Sequence, residues 1–400
     1  KRQPFDEGEP STLFADFSKK IDALDIKDGK KADLKEKATK ALLDHVKPAY
    51  EKLIQAMTAQ KAQSSTHDGV WKLRDGAAYY AERLNFHTTT QMSADQIHAL
   101  GLSEVARIHN EMRTIKDKVG FEGDLKAFMD HLRDSDEFYY PNTDEGKEEY
   151  LAKATQLIDT MKGELPAYFA TLPKADLVVK RVEAFREKSA GKAFYQRPAP
   201  DGSRPGTYYA NLYDARDMPT YQMEALAYHE GIPGHHMQLA IQQELEGLPK
   251  FRRFGGITAY SEGWGLYTEY LPKEMGFYKD PYSDFGRLSM ELWRAARLVV
   301  DTGLHHKKWS REEAIQYLID NTPNSEGDSV KAIERYIVLP GQATAYKVGM
   351  LKILEFREWA AQTLGSKFDI REFHDVVLRN GPVPLDILDE QVKAWVASKQ

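Results

Sequence analysis

Residues 228–238 read YHEGIPGHHMQ, and the way this stretch bends decides how the chain is built around it. His229 and Glu230 open the pattern His-Glu-x-x-His, in which two imidazoles one helical turn apart face a single zinc ion. Here a Pro-Gly pair stands where the motif should close, and the next histidines, His235 and His236, come six and seven residues after His229. On an unbroken helix, at about 100° and 1.5 Å per residue, His235 would point roughly 120° away from His229. His236 would share the face but lie about 10 Å further along the axis, too far for one ion.

Pro233 changes this geometry. It has no N–H to give to the carbonyl of His229 four residues back, and its ring clashes with that carbonyl. Gly234 follows, the residue best able to take up an unusual backbone conformation. The pair predicts a bulge or looped-out segment at 232–234 that brings His235 back to about one turn from His229. The competing reading is a Pro-kinked core helix. Against it, His229, Glu230, His235 and His236 fall within eight positions of a chain with 12 histidines in 400 residues. The stretch therefore reads as metal-binding, through His229 and His235, with His236 as the alternative second ligand.

With no cysteine in the chain, any further ligand is His, Asp or Glu. AYSEGWGLYTEYL (259–271) supplies Glu262 and Glu269, seven residues apart and so on one helical face. Glu262, between Ser261 and Gly263, is the expected third ligand, as gluzincin-type peptidases draw theirs from a carboxylate on a later helix. Glu269 is the alternative. Gly263 and Gly265 allow another helix to come close. Glu230, beside the first ligand, is placed to activate a water and pass its proton to a leaving amine.

Farther along, ERYIVLPGQATAYKVGMLKI (334–353) offers Tyr346 as donor to a developing oxyanion, and Arg335, Tyr336, Gln342 and Lys347 as substrate-binding groups. RLVVDTGLHH (297–306) adds Asp301 and His305. For each of these taken alone, packing or surface exposure is the competing reading. GTYYANLYD (206–214), with Tyr209, reads as an edge strand able to pair with an extended peptide, or as an ordinary edge strand.

Most of the chain reads as amphipathic helix, for instance 34–60, 93–115, 141–172, 258–271 and 289–306. DLVVKRV (176–182) and 206–214 read as extended. RPAPDGSRPG (197–206) is the clearest loop. It divides a helical N-terminal part, 1–205, from a zinc-binding catalytic part, 206–400, the two packed as one unit. Net charge is −6 with no basic block, which argues against a nucleic-acid partner. Apolar runs stay far below the roughly eighteen residues of a membrane helix. The sequence starts at Lys1, so a signal peptide is expected to precede it. A periplasmic or secreted location, including lipoprotein anchoring, is the expectation, with the cytoplasm still open.

HEGIPGHHMQ, SEGWGLYTEYL, RLVVDTGLH and PGQATAYKVG, in this order, together with DGVWKLRDGAAYYAERLNFHTTT (68–90), resemble the bacterial domain-of-unknown-function family 885. That family is grouped with the gluzincin metallopeptidases. The resemblance implies a mainly α, multi-helix zincin-like fold with a small β-sheet beside the active-site helix. It implies Zn2+ as cofactor, on His229, His235 and Glu262, and a peptide substrate. Together these readings lead to a zinc metallopeptidase acting on short peptides, as a carboxypeptidase or dipeptidyl-carboxypeptidase rather than an endopeptidase. The alternatives are an inactive zincin-like peptide- or metal-binding protein and a zinc hydrolase of a non-peptide amide or ester.

Overall fold

Two compact units, one ending at His67 and one spanning Asp68–Gln400, make up the chain, and a computed structural model describes residues 4–6 and 10–400. In the first unit α1 (Thr12–Asp22) is capped by Ser11, whose hydroxyl accepts from the Phe14 N–H at 3.3 Å. The helix expected over 34–60 is present as one uninterrupted run, α2 (Asp28–Ala41) and α3 (Lys47–Ala62), with a π-helical turn at Leu42–Val46 between them. Pro48, in the first turn of α3, has no N–H with which to continue the ladder.

The second unit runs α4 (Gly76–Thr88), α5 (Ala94–Lys118), α6 (Leu125–Asp134) and α7 (Asp144–Tyr168), then strands β1 (Leu177–Arg181), β2 (Ala193–Gln196) and β3 (Gly206–Ala210). There follow α8 (Thr220–Glu230), α9 (His235–Glu244), α10 (Lys250–Phe254), α11 (Thr258–Glu274) and α12 (Pro281–His305). The unit closes with α13 (Arg311–Asn321), α14 (Glu326–Val338), α15 (Ala345–Leu364), α16 (Ile370–Leu378) and α17 (Leu385–Lys399). Mainly helical with a small sheet, it has the secondary structure the sequence predicts.

α5 starts at a capping box: the Ser93 hydroxyl accepts from the Gln96 N–H, and the Gln96 side chain accepts from the Ser93 N–H. Its Val105, Ile108 and Met112, spaced by three and four, bury one stripe against Leu292, Ala296 and Val300 of α12. A second core gathers Leu226 and Tyr228 of α8, Trp264 and Tyr267 of α11, and Phe356 of α15. Tyr221, at the start of α8, belongs to the first core, and Leu226 and Tyr228 to the second. α8 is thus held between the two and buried nearly all round.

The sheet order is β1-β3-β2, with β1 parallel and β2 antiparallel to β3. This corrects the expectation for Tyr209. Its strand is the central one, hydrogen-bonded on both sides, so it has no free edge to offer a peptide. β2, four residues long and too short for a periodic signal, supplies an edge instead. The expected division at 205/206 falls between two paired strands of this sheet, inside the larger unit.

Candidate metal centre

α8 ends at Glu230, four residues turn, and α9 begins at His235. The predicted irregularity at 232–234 is therefore a full break between helices. A Cβ on Gly234 would lie 2.0 Å from the His229 carbonyl oxygen and 2.2 Å from that of Tyr228. Only glycine lets the chain fold back this tightly on the end of α8. The turn is pinned from α11, where the Trp264 indole N–H donates to the Pro233 carbonyl at 3.0 Å.

The break brings the two imidazoles together, their ring centres 4.6 Å apart. Glu262 Oε2 stands 3.8 Å from His229 Nε2 and 3.5 Å from His235 Nε2. One ligand atom from each of His229, His235 and Glu262 lies within 4.8 Å of the others. Ligands around tetrahedral zinc, with bonds of about 2.0–2.2 Å, are roughly 3.3–3.5 Å apart, so the residues present fit the ion with small adjustments. Glycines on α11 make room. A Cβ on Gly265 would reach to 2.7 Å of the His229 ring, and Gly263 meets Gly349 of α15 backbone to backbone.

The two acids of α11 take different roles. Glu269, 1% exposed, has Oε1 at 2.7 Å from His229 Nδ1, off the line of a straight hydrogen bond, and 3.3 Å from Arg294. It stands behind His229, on the ring nitrogen that faces away from Glu262, as carboxylates do behind metal-bound histidines. Burial raises the Glu262 carboxyl, but the hydrogen bond and charge of His235, with His229 and Arg294, hold it down at about 2. Glu262 lies deep in the protein yet keeps 24% of its side chain open to a cavity.

His236 is excluded from the centre. Its Nδ1 meets the Tyr195 hydroxyl at 2.9 Å and its Nε2 the Ala175 carbonyl at 3.0 Å, tying α9 to β2 and to the chain ahead of β1. Burial pushes it down to about 4. Of the two candidate second ligands, His235 is the one that converges with His229 and Glu262.

The cavity measures about 650 Å³ and is lined by His229, Glu230, His235 and Glu262. Glu230 is 7% exposed and, among the described residues, makes no hydrogen bond. Tyr346, Tyr336 and Arg335 also line the wall. The Tyr346 hydroxyl is raised by burial and by the charge of Glu262.

Gln342 and Lys347 do not line it. Gln342 accepts from Arg335 at 3.1 Å, and Lys347, fully buried, pairs with Glu291 at 2.6 Å and Glu104 at 2.8 Å. Tyr209 does not line it either, and stacks on Phe194, ring centres 5.0 Å apart. Asp301 accepts from the Tyr80 hydroxyl at 2.6 Å and the Gly341 N–H at 3.0 Å. His305 lies between the Val70 N–H, 3.2 Å away, and the Tyr336 carbonyl, 3.0 Å away. These two side chains brace the fold rather than the site.

Cavity residues that sequence reasoning missed are Lys192 beside β2, Gln222 at the start of α8, and Trp293, Arg294 and Arg297 of α12. The signal for the last pair was present: two arginines three apart in the otherwise apolar run LWRAARLVV.

The chain matches the family described as "Bacterial protein of unknown function (DUF885)" over residues 2–392. It belongs to that family. Among solved structures, a putative lipoprotein from Colwellia psychrerythraea is 39% identical, with a TM-score of 0.94 over 97% of this chain and 67% of that one. A putative lipoprotein of unknown function from Shewanella oneidensis shares the fold at 22% identity, with a TM-score of 0.70 over 95% of this chain and 70% of that one. No curated protein matches. The four stretches singled out in the sequence thus build two things here: HEGIPGHHMQ and SEGWG supply the candidate metal ligands, and RLVVDTGLH and PGQATAYKVG supply both bracing contacts and part of the cavity wall.

Proposed function

We propose that this chain is a zinc-dependent metallopeptidase of gluzincin type that hydrolyses short peptides. The observation that carries the reading is the convergence of His229, His235 and Glu262 on one point of a cavity wall, with the unpartnered Glu230 beside them. Bound there, zinc would supply a Lewis acid that polarises a scissile carbonyl and acidifies a water.

The chain's own groups supply the rest. Glu230 takes the proton of the attacking water and delivers it to the leaving amine. Tyr346, on the same wall, donates to the carbonyl oxygen as charge builds on it. Glu269 orients His229 from behind. β2 lines the cavity with Ala193, Phe194 and Tyr195 and pairs only with β3. It takes over the role expected of the strand of Tyr209, pairing with the backbone of an extended peptide.

Among the described residues no helix is long and apolar enough to cross a membrane. The two lipoprotein relatives favour a periplasmic or lipid-anchored location.

The test is hydrolysis of a peptide library by zinc-loaded protein, with and without chelator, beside Glu230→Gln. The expected result is chelator-sensitive cleavage that falls at least a hundredfold in the variant while its zinc content stays stoichiometric. Full turnover by a zinc-loaded Glu230→Gln would remove Glu230 from its role, and protein that binds no zinc would end the reading.

A further inference from the structure

Arg297, on α12, lines the same cavity as the metal centre. Its guanidinium carbon lies 4.6 Å from the centre of the Tyr346 ring, 5.7 Å from that of Trp293 and 5.9 Å from that of Tyr336. Three aromatic rings hold the group in place without neutralising it.

Its neighbours are compensated. Arg287 pairs with Asp284 at 3.0 Å and Glu291 at 3.2 Å, and Arg294 with Glu269 at 3.3 Å. Among the described residues no carboxylate comes within ion-pair distance of Arg297, its buried Nε has no hydrogen-bond partner, and the side chain hydrogen-bonds only to the neutral Tyr346 hydroxyl. The carboxylate whose field reaches it is Glu262, which faces the two histidines of the metal centre.

The other cations of the wall are placed differently. Lys192 donates to Gln222 at 2.7 Å and faces Asp217 and Asp328. Lys331 and Arg335 are exposed at the rim, and Arg335 is engaged with Gln342. A partly buried charge without a counter-ion is costly unless an anion joins it. A planar fork of donors matches a carboxylate better than any other small anion of a peptide.

We propose that Arg297 anchors the C-terminal carboxylate of the substrate, so that the protein trims peptides from a free C terminus. This deepens, and rests on, the peptidase reading of the same site. Arg297 acts as a substrate-binding residue, and the rival role is only to hold the ring of Tyr346. That rival role would affect peptides with and without a terminal carboxylate alike.

The experiment separates the two ideas. Zinc-loaded Glu230→Gln is titrated calorimetrically with one short peptide in two forms, C-terminal acid and C-terminal amide. The acid is expected to bind roughly 10- to 100-fold more tightly, the loss typical of an unmade charged hydrogen bond. Adding Arg297→Met abolishes the preference, and Arg297→Lys keeps part of it. Equal affinity for acid and amide, or a preference that survives Arg297→Met, overturns the anchor. Should Arg297→Met fail to fold, Arg297→Lys decides: an undiminished preference there overturns the forked contact.

Cleavage by the wild type is followed in parallel. No cleavage with the acid preference intact ends the peptidase reading and leaves the anchor standing. Cleavage of both forms with equal kcat/KM overturns the anchor and leaves the peptidase.

Discussion

Replacing Glu269 by glutamine isolates what stands behind the first ligand from the ligand itself. The carboxylate is 1% exposed, 2.7 Å from His229 Nδ1 and 3.3 Å from Arg294. Glutamine preserves the shape but removes the negative charge that, in the proposed site, would make His229 a better metal ligand. It also leaves Arg294 without its acid. Loss of such an outer partner lowers metal affinity about 10- to 100-fold, which corresponds to about 1.4–2.7 kcal/mol.

Competition for zinc against a chromophoric chelator, at constant pH and ionic strength, measures this directly. Unfolding of the metal-free protein is measured alongside, so that a packing defect is seen separately. An affinity within twofold of wild type would refute the assignment of Glu269 to the zinc site. So would a loss of metal-free stability large enough to account for the whole change.

His236 and Lys347 predict the opposite pattern, stability without a change at the metal. With His236 held at about 4 against 6.5 for an ordinary imidazole, the unfolded chain takes up a proton that the folded one refuses. Stability is then complete above about pH 6.5 and is lost as pH falls toward 4. His236→Gln should flatten that part of the pH–stability curve and leave zinc stoichiometry at one, and a curve of unchanged slope would disprove the account. Lys347→Met removes the buried amine from a network in which Glu291 keeps Arg287 and Arg107, and Glu104 keeps Arg107, and should cost about 1.5–3 kcal/mol in denaturant unfolding. If that variant kept wild-type stability but lost substrate affinity, Lys347 would be a cavity residue after all.

The helices of the second unit were legible because their burial is periodic. The 93–115 pattern and α5, or the 258–271 pattern and α11, agree because a stripe of apolar residues at three- and four-residue spacing has one economical conformation. The site was legible wherever chemistry is encoded locally. His229, Glu230, Pro233, Gly234 and His235 lie in one short segment, and the rarity of that combination is itself the signal.

Roles that depend on distant partners were not legible. Lys347, Arg335 and Arg297 are all basic residues near the same motifs, yet Glu104 and Glu291 claim the first and Gln342 engages the second. The third lies among aromatic rings with no acid in reach. Strand order was likewise beyond the sequence, since four residues of β2 carry no period and yet decide that β3 is central.

From the sequence alone came the kinds of donor available, the proline-glycine break, and the helices that carry them, because backbone preference and donor chemistry are properties of neighbours in the chain. The tertiary structure alone decided between His235 and His236, between Glu262 and Glu269, and which cations face the cavity. Those choices turn on which side of a packed helix a side chain meets, a matter settled by partners tens of residues away along the chain.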